Sequence, residues 1–374
     1  MIPYSQPSID DSDFESVKNV LRSTWLAGDG QKSKEFEDRL GEYIKSRIVE
    51  KNPYVTAFNS GTSALDIAIR SLEIPFGSEV ITTPFTFVAT SHAILANNLK
   101  PIFIDIEEDT RNIDVRKIQE KITDKTKAII FVDYAGHPCD LRELHKLSFD
   151  YNFHMIEDAA HSLGAEYYGK KVGNLADLTM FSFHAVKLIT TGEGGAIATY
   201  NTTLNRKMKL IRRLGVDKSP IERLGWKYDV LKLGGNYRLS DLQAALGISQ
   251  LSKIDKLLVK REYIANRYNE AFEDLKQIET PIAKNYVKHA WHLYTILVDN
   301  RDRFFNNMRK EGIGVNVHFI PIYRFSYYKK LFNINPKRFP ITEKVYNKII
   351  SLPIYPNMSE VDIDRVIDAV KKSL

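Results

Sequence analysis

Between about residues 50 and 200, short β-rich apolar runs alternate with segments of helical length whose apolar positions recur every three or four residues. The runs predict strands at Tyr54–Phe58, Glu79–Thr82, Pro101–Ile104, Ala128–Val132, His154–Ile156, Leu178–Phe183 and Gly195–Thr199. Between them, Thr62–Leu72 sets Leu65, Ala68, Ile69 and Leu72 on one helical face, and Asp140–Tyr151 reads as a second helix. Strand and helix in alternation describe βαβ units around a buried parallel or mixed sheet, which is an α/β architecture.

After about residue 240 the pattern changes. Ser240–Phe272 carries apolar residues at helical spacing through Leu242, Leu246 and Leu251 and reads as one long connector. Beyond it come a strand near His292–Val298, a helix at Asp302–Glu311, a strand at Gly314–His318 and a closing helix at Ser359–Lys372. The expected organisation is a large α/β domain over residues 1–250 and a smaller α+β domain over residues 251–374.

The 374 residues suffice for a sizeable core, and 43% hydrophobic with 27% charged residues excludes a disordered, collagen-like or coiled-coil chain. The net charge of +6 is spread without blocks, so it suits an anionic small molecule as well as it suits nucleic acid. Cys139 is the one cysteine, which excludes internal disulfides and a cysteine-built metal site. The opening residues lack a basic and then apolar leader, and no uncharged apolar run approaches the roughly 20 residues of a membrane span. A cytoplasmic protein is expected.

Residues 181–195, Phe-Ser-Phe-His-Ala-Val-Lys-Leu-Ile-Thr-Thr-Gly-Glu-Gly-Gly, carry the most chemistry. A strand ends, and a turn rich in hydroxyls and glycine follows with Lys187 inside it. A lysine is ordinarily a solvated surface charge. Here Ala185, Val186, Leu188 and Ile189 would partly desolvate the amine, lower its pKa and free the lone pair that condenses with an aldehyde.

Glu157-Asp158-Ala159-Ala160-His161 follows the strand at His154, where open α/β sheets bind ligands. A carboxylate there could hold the proton on a pyridine nitrogen, or it could simply cap the next helix. Phe58-Asn59-Ser60-Gly61-Thr62-Ser63 passes from strand through a small-residue turn into a helix, an anion site built from N–H groups and the helix dipole. Ser60, Thr62 and Ser63 also serve as plain caps. Ser182 could add a hydroxyl to the same phosphate. Pro84-Phe85-Thr86-Phe87-Val88 offers aromatic faces for a flat ring or for the core.

Other motifs carry nothing. Gly192-Glu193-Gly194-Gly195 is not a dinucleotide fingerprint, and it precedes a strand instead of following one. No P-loop or H-E-x-x-H is present, the nine histidines lack ligand spacing, and no metal is expected.

These stretches, with Gly235-Asn236-Tyr237-Arg238-Leu239-Ser240-Asp241-Leu242-Gln243-Ala244-Ala245-Leu246-Gly247, strongly resemble the DegT/DnrJ/EryC1/StrS family of sugar aminotransferases from Tyr4 to Pro353. The resemblance implies a fold-type I, aspartate aminotransferase-like enzyme that uses pyridoxal 5'-phosphate and works as a homodimer with shared sites. It makes Lys187 the Schiff-base lysine, Asp158 the partner of the pyridine nitrogen and His161 a residue beside the ring. It further assigns Gly61, Thr62 and Ser182 to the phosphate, Phe87 to stacking on the ring, and Asn236 to the phosphate of the other subunit's site. Ala185 and Leu188 depart from the proline and asparagine of many relatives.

The implied reaction aminates a nucleotide-linked keto sugar with L-glutamate for amino-sugar and surface-polysaccharide biosynthesis. The segments at Tyr4, Trp25 and His318 resemble the branch that aminates C4 of a 4-keto-6-deoxyhexose; amination at C3 is the alternative. Trp25 and Tyr323 are candidates for sugar or nucleotide contact or for packing, and Arg238 and His318 for the diphosphate. A regulator using the same scaffold to bind nucleic acid is the remote rival. It would need a clustered basic face or a helix-turn-helix, which the chain lacks, and has no use for Lys187 and Asp158 together.

Overall fold

The computed structural model describes residues 1–45, 50–218, 223 and 225–374. Its centre is a seven-stranded sheet of β1 (Tyr54–Phe58), β2 (Glu79–Thr82), β3 (Lys100–Phe103), β4 (Thr126–Val132), β5 (His154–Asp158), β6 (Leu178–Ser182) and β7 (Gly195–Thr199). The strand order is β1-β7-β6-β5-β4-β2-β3. The pairs from β6 to β3 are parallel, and β7 alone runs against its neighbours. Helices cover both faces, so β2 and β7 are buried at every position.

The helix Gly61–Leu72 forms as its periodicity requires, with Ala64, Leu65, Ala68 and Ile69 buried against the sheet. Two amphipathic helices, Asp11–Ser23 and Gln31–Ile44, lie ahead of the first strand and went unread in the sequence. The second packs Phe36, Leu40 and Ile44 with Ala244, Ile248 and Leu251.

Three expectations change. The connector is two helices, Asp241–Ser252 and Ile254–Phe272, because Lys253 leaves helical geometry at φ −115°. Its ammonium is tied to Asp10 at 2.7 Å and Asp13 at 2.6 Å. Gly314–His318 is no ladder strand; its pairing is an isolated bridge between Asn316 and Ser351. β5 runs on through Asp158, so the acid is the strand's last residue.

A second antiparallel sheet orders β8 (Ile278–Glu279), β9 (Tyr294–Val298) and β10 (Ile349–Leu352). Its core joins Ile264, Tyr268, Ile296, Ile350 and Val366. Ile2 belongs to that core too, bonded through Gly312 O at 2.8 Å and Gly314 N at 2.7 Å. Among the described residues no helix is long and apolar enough to cross a membrane.

Candidate active site

A cavity of about 460 Å³ opens at the carboxyl ends of β4, β5 and β6, lined among others by Val132, Asp158, Ser182 and Lys187. Parallel strands point their carboxyl ends, and the loops that follow them, toward one edge, so chemistry collects there.

Lys187 sits in the loop that joins β6 to antiparallel β7. Ser182 and Gly195 pair at its base, Phe183 N–H donates to Gly194 O at 2.9 Å, and Thr191 N–H donates to Phe183 O at 2.9 Å. Leu188 and Ile189 anchor the loop in the core, which leaves the half-buried Lys187 side chain on the cavity wall. Burial lowers its pKa to about 8 against the opposing pull of the Asp158 charge.

Asp158 is buried at the cavity floor. Its Oδ2 accepts Thr90 Oγ1 at 2.8 Å and its Oδ1 accepts Ala160 N–H at 3.3 Å. Burial raises its pKa, while these donors and Lys187 act in the opposite direction. No helix follows it, so the capping alternative falls away; a turn carries the chain to His161. That imidazole is buried, its ring centroid 4.3 Å from His292 and 5.9 Å from Phe319. Burial holds both histidines well below the usual imidazole pKa, and the Nδ1 of each has no hydrogen-bond partner among the described residues.

At the third wall, the helix Gly61–Leu72 presents the first-turn N–H groups of Gly61 and Thr62, which no carbonyl of the helix can reach. Ser60 is the cap, its Oγ accepting Ser63 N–H at 3.1 Å. The Ser60 cap does not use the Gly61 and Thr62 N–H groups. A Cβ at Gly61 would stand 3.2 Å from Ser182 Oγ, and one at Gly195 would stand 2.6 Å from Gly61 N. The glycines let turn, helix and β7 close on one another beside the Ser182 hydroxyl.

Phe87 lies at the rim, 57% exposed, with its ring 6.2 Å from Phe319. His318 lines the cavity, and burial with the Lys187 charge lowers its pKa to about 4. It is neutral at pH 7, so toward a diphosphate it is a hydrogen-bonding group, not a cation. Its Nδ1 already meets Ser351 Oγ at 2.7 Å.

Four candidates lie outside this cavity. Tyr323 is buried, stacks on Phe339 and donates to Glu343 Oε1 at 2.7 Å. Trp25 is 46% exposed beside Gly30. Arg238 Nε donates to the exposed Asn236 Oδ1 at 3.1 Å, and Arg238 Nη1 stands 3.7 Å from Asp29. Sequence reasoning missed Thr90, His292 and Phe319 at the site. Thr90 was legible one helical turn beyond Phe87, whereas His292 and Phe319 come from the distant half of the chain.

An amine of lowered pKa, a floor carboxylate, unpartnered imidazole nitrogens and an anion-binding helix start fit a flat aromatic aldehyde with a basic ring nitrogen and a phosphate. Among the described residues no cluster of acids, histidines or cysteines suits a metal. Fold and site together define a pyridoxal-phosphate-dependent transferase of fold type I. Residues 7–371 match the DegT/DnrJ/EryC1/StrS aminotransferase family, and the chain belongs to it. It is a sugar aminotransferase.

The chain is 40% identical to the UDP-4-amino-4,6-dideoxy-N-acetyl-beta-L-altrosamine transaminase of Campylobacter jejuni over 99% of this chain and 96% of that one. The structure of Helicobacter pylori PseC, an aminotransferase of pseudaminic acid biosynthesis, superposes at a TM-score of 0.92 with 36% identity, covering 100% of this chain and 98% of that one. The PLP form of the sugar aminotransferase Spr1654 from Streptococcus pneumoniae matches at 0.91 with 30% identity, covering 100% and 99%.

Proposed function

We propose that this enzyme moves an amino group from L-glutamate to C4 of a nucleotide-linked 4-keto-6-deoxyhexose, in the cytoplasm, as a homodimer. The observation that carries the reading is the convergence of Lys187, Asp158 and the Gly61–Ser182 cradle on one cavity. The Campylobacter relative's name, a UDP-linked 4-amino-4,6-dideoxy sugar, supports C4 over C3. Asn236 and Arg238, exposed and half-buried away from their own chain's cavity, suit a role in the other subunit's site.

Pyridoxal phosphate, when bound, supplies the aldehyde that takes up the amine and the electron-poor ring that accepts the Cα electrons. The chain's residues do the rest. Gly61, Thr62 and Ser182 would hold the phosphate, and Asp158 would hold the proton on the ring nitrogen. Phe87 and His161 would pack beside the ring. Lys187 would anchor the cofactor through its Nζ, and that amine, when free and neutral, would serve as the base for the donor Cα proton.

The test incubates the protein with pyridoxal phosphate, L-glutamate and a panel of UDP-, GDP- and dTDP-linked 4-keto and 3-keto sugars, reading the aminated carbon by NMR. An amine at C4, abolished in Lys187→Ala, is expected. Amination confined to C3 sinks the regiochemistry, and no turnover of any sugar or amino donor sinks the proposal.

A further inference from the structure

Behind the cavity floor two more carboxyl groups meet. Glu157 precedes Asp158 on β5, so its side chain leaves the opposite face of the sheet. Asp133 directly follows β4, two residues beyond Phe131, which pairs with Glu157, so the two carboxyls, both 0% exposed, share one face of the sheet and interact. Thr179 Oγ1 donates to Glu157 Oε2 at 2.8 Å, and the Gly173 backbone N–H also faces the Glu157 carboxyl. The other titratable groups facing the pair are acids: Asp158, and Cys139, which Glu107 also faces. Two touching carboxylates without a cation cannot both stay ionised, so the pair keeps one proton.

Asp133 grips both ends of the turn that carries Asp158 and His161. Its N–H donates to Asp158 O at 3.2 Å, and its Oδ2 accepts Ser162 Oγ at 2.6 Å. Its Oδ1 accepts Cys139 N–H at 3.0 Å. We propose that Glu157 is a positioning residue that acts as a neutral acid, donating its proton's hydrogen bond to Asp133 so that Asp133 stays aligned on Ser162 and the Asp158–His161 turn. In agreement, burial pushes Glu157 well above the carboxylate range and raises Asp133 less far.

The test follows thermal unfolding from pH 5 to 9 together with the half-reaction with L-glutamate, in wild type, Glu157→Gln, Glu157→Leu and Ser162→Ala. Unfolding needs neither cofactor nor sugar, so it reads the shared proton whatever becomes of the proposed activity. The folded pair keeps a proton that an unfolded glutamate releases near pH 4.3. Wild-type stability therefore falls as pH climbs toward the folded pKa. Glutamine cannot release it, so the Tm of Glu157→Gln should gain several degrees on wild type between pH 5 and 9. Its half-reaction rate should stay within about two-fold, with Glu157→Leu and Ser162→Ala about ten-fold slower at unchanged glutamate KM. A Tm gap independent of pH, a glutamine variant as slow as the leucine one, or Ser162→Ala at the wild-type rate would overturn the proposal.

Discussion

Thr90 donates its hydroxyl to Asp158 Oδ2 at 2.8 Å and itself meets Thr86 Oγ1 at 2.9 Å. A threonine on the helix Val88–Ala96 thus orients the floor carboxylate. A hydrogen bond to a charged group is worth roughly 1.5–3 kcal/mol, so Thr90→Val should weaken pyridoxal phosphate binding about ten- to hundred-fold. Titrating cofactor into cofactor-free protein by absorbance checks this. An unchanged dissociation constant would mean that the carboxylate keeps its place without Thr90.

The lowered pKa of Lys187, about 8, sets a pH dependence. Capture of pyridoxal phosphate needs the neutral amine, so its rate should rise through pH 8 and level off above it, where an ordinary lysine at 10.5 would still be climbing at pH 10. The same shift adds stability as pH rises from about 8 to 10.5, because the unfolded chain holds this proton longer. The visible band of the lysine-bound cofactor, followed from pH 6 to 10, reports the midpoint. Lys187→Ala should show no such band.

Gly195→Ala would force a Cβ to 2.6 Å from Gly61 N, with backbone on both sides and no flexible side chain to yield. We expect a loss of about 1–3 kcal/mol in stability and a larger fall in cofactor affinity, because the atoms displaced are those of the anion cradle. Melting temperature and cofactor titration measure the two effects. Equal behaviour of variant and wild type would show that the helix start can retreat freely.

Tyr323→Phe separates packing from substrate contact. Removing the hydroxyl leaves Glu343 with its Arg324 partner and costs about 1 kcal/mol, while KM for the nucleotide sugar should stay within about two-fold. A KM rise of ten-fold would return Tyr323 to the substrate.

The parts of the site that lie within one βα turn were readable from sequence. Asp158 and Ser182 end strands, and Gly61 and Lys187 lie shortly after strand ends, so their common edge could be inferred from where the apolar runs stop. The break at Lys253 was hidden because the anchor that causes it, the acid pair Asp10 and Asp13, lies far away in sequence. The bridge of Asn316 to Ser351 fails as a strand for the reverse reason: alternation predicts extended backbone, yet a ladder needs a long partner. Tyr323 and Trp25 both offered an aromatic ring to a sugar, and only the fold shows that one is buried and the other exposed. His292 and Phe319 join the cavity through a fold closure that no local pattern encodes.

The reversed direction of β7 has its own consequence. Because Ser182 and Gly195 face each other at the mouth of the lysine loop, one hairpin register sets both the Ser182 hydroxyl and the glycine that admits the helix start. A slip of one residue would turn Ser182 to the opposite face and put a side chain where Gly195 must be empty. Misfolding at this hairpin therefore leaves no partly competent isomer, and the fraction of molecules able to load cofactor counts the fraction that paired correctly.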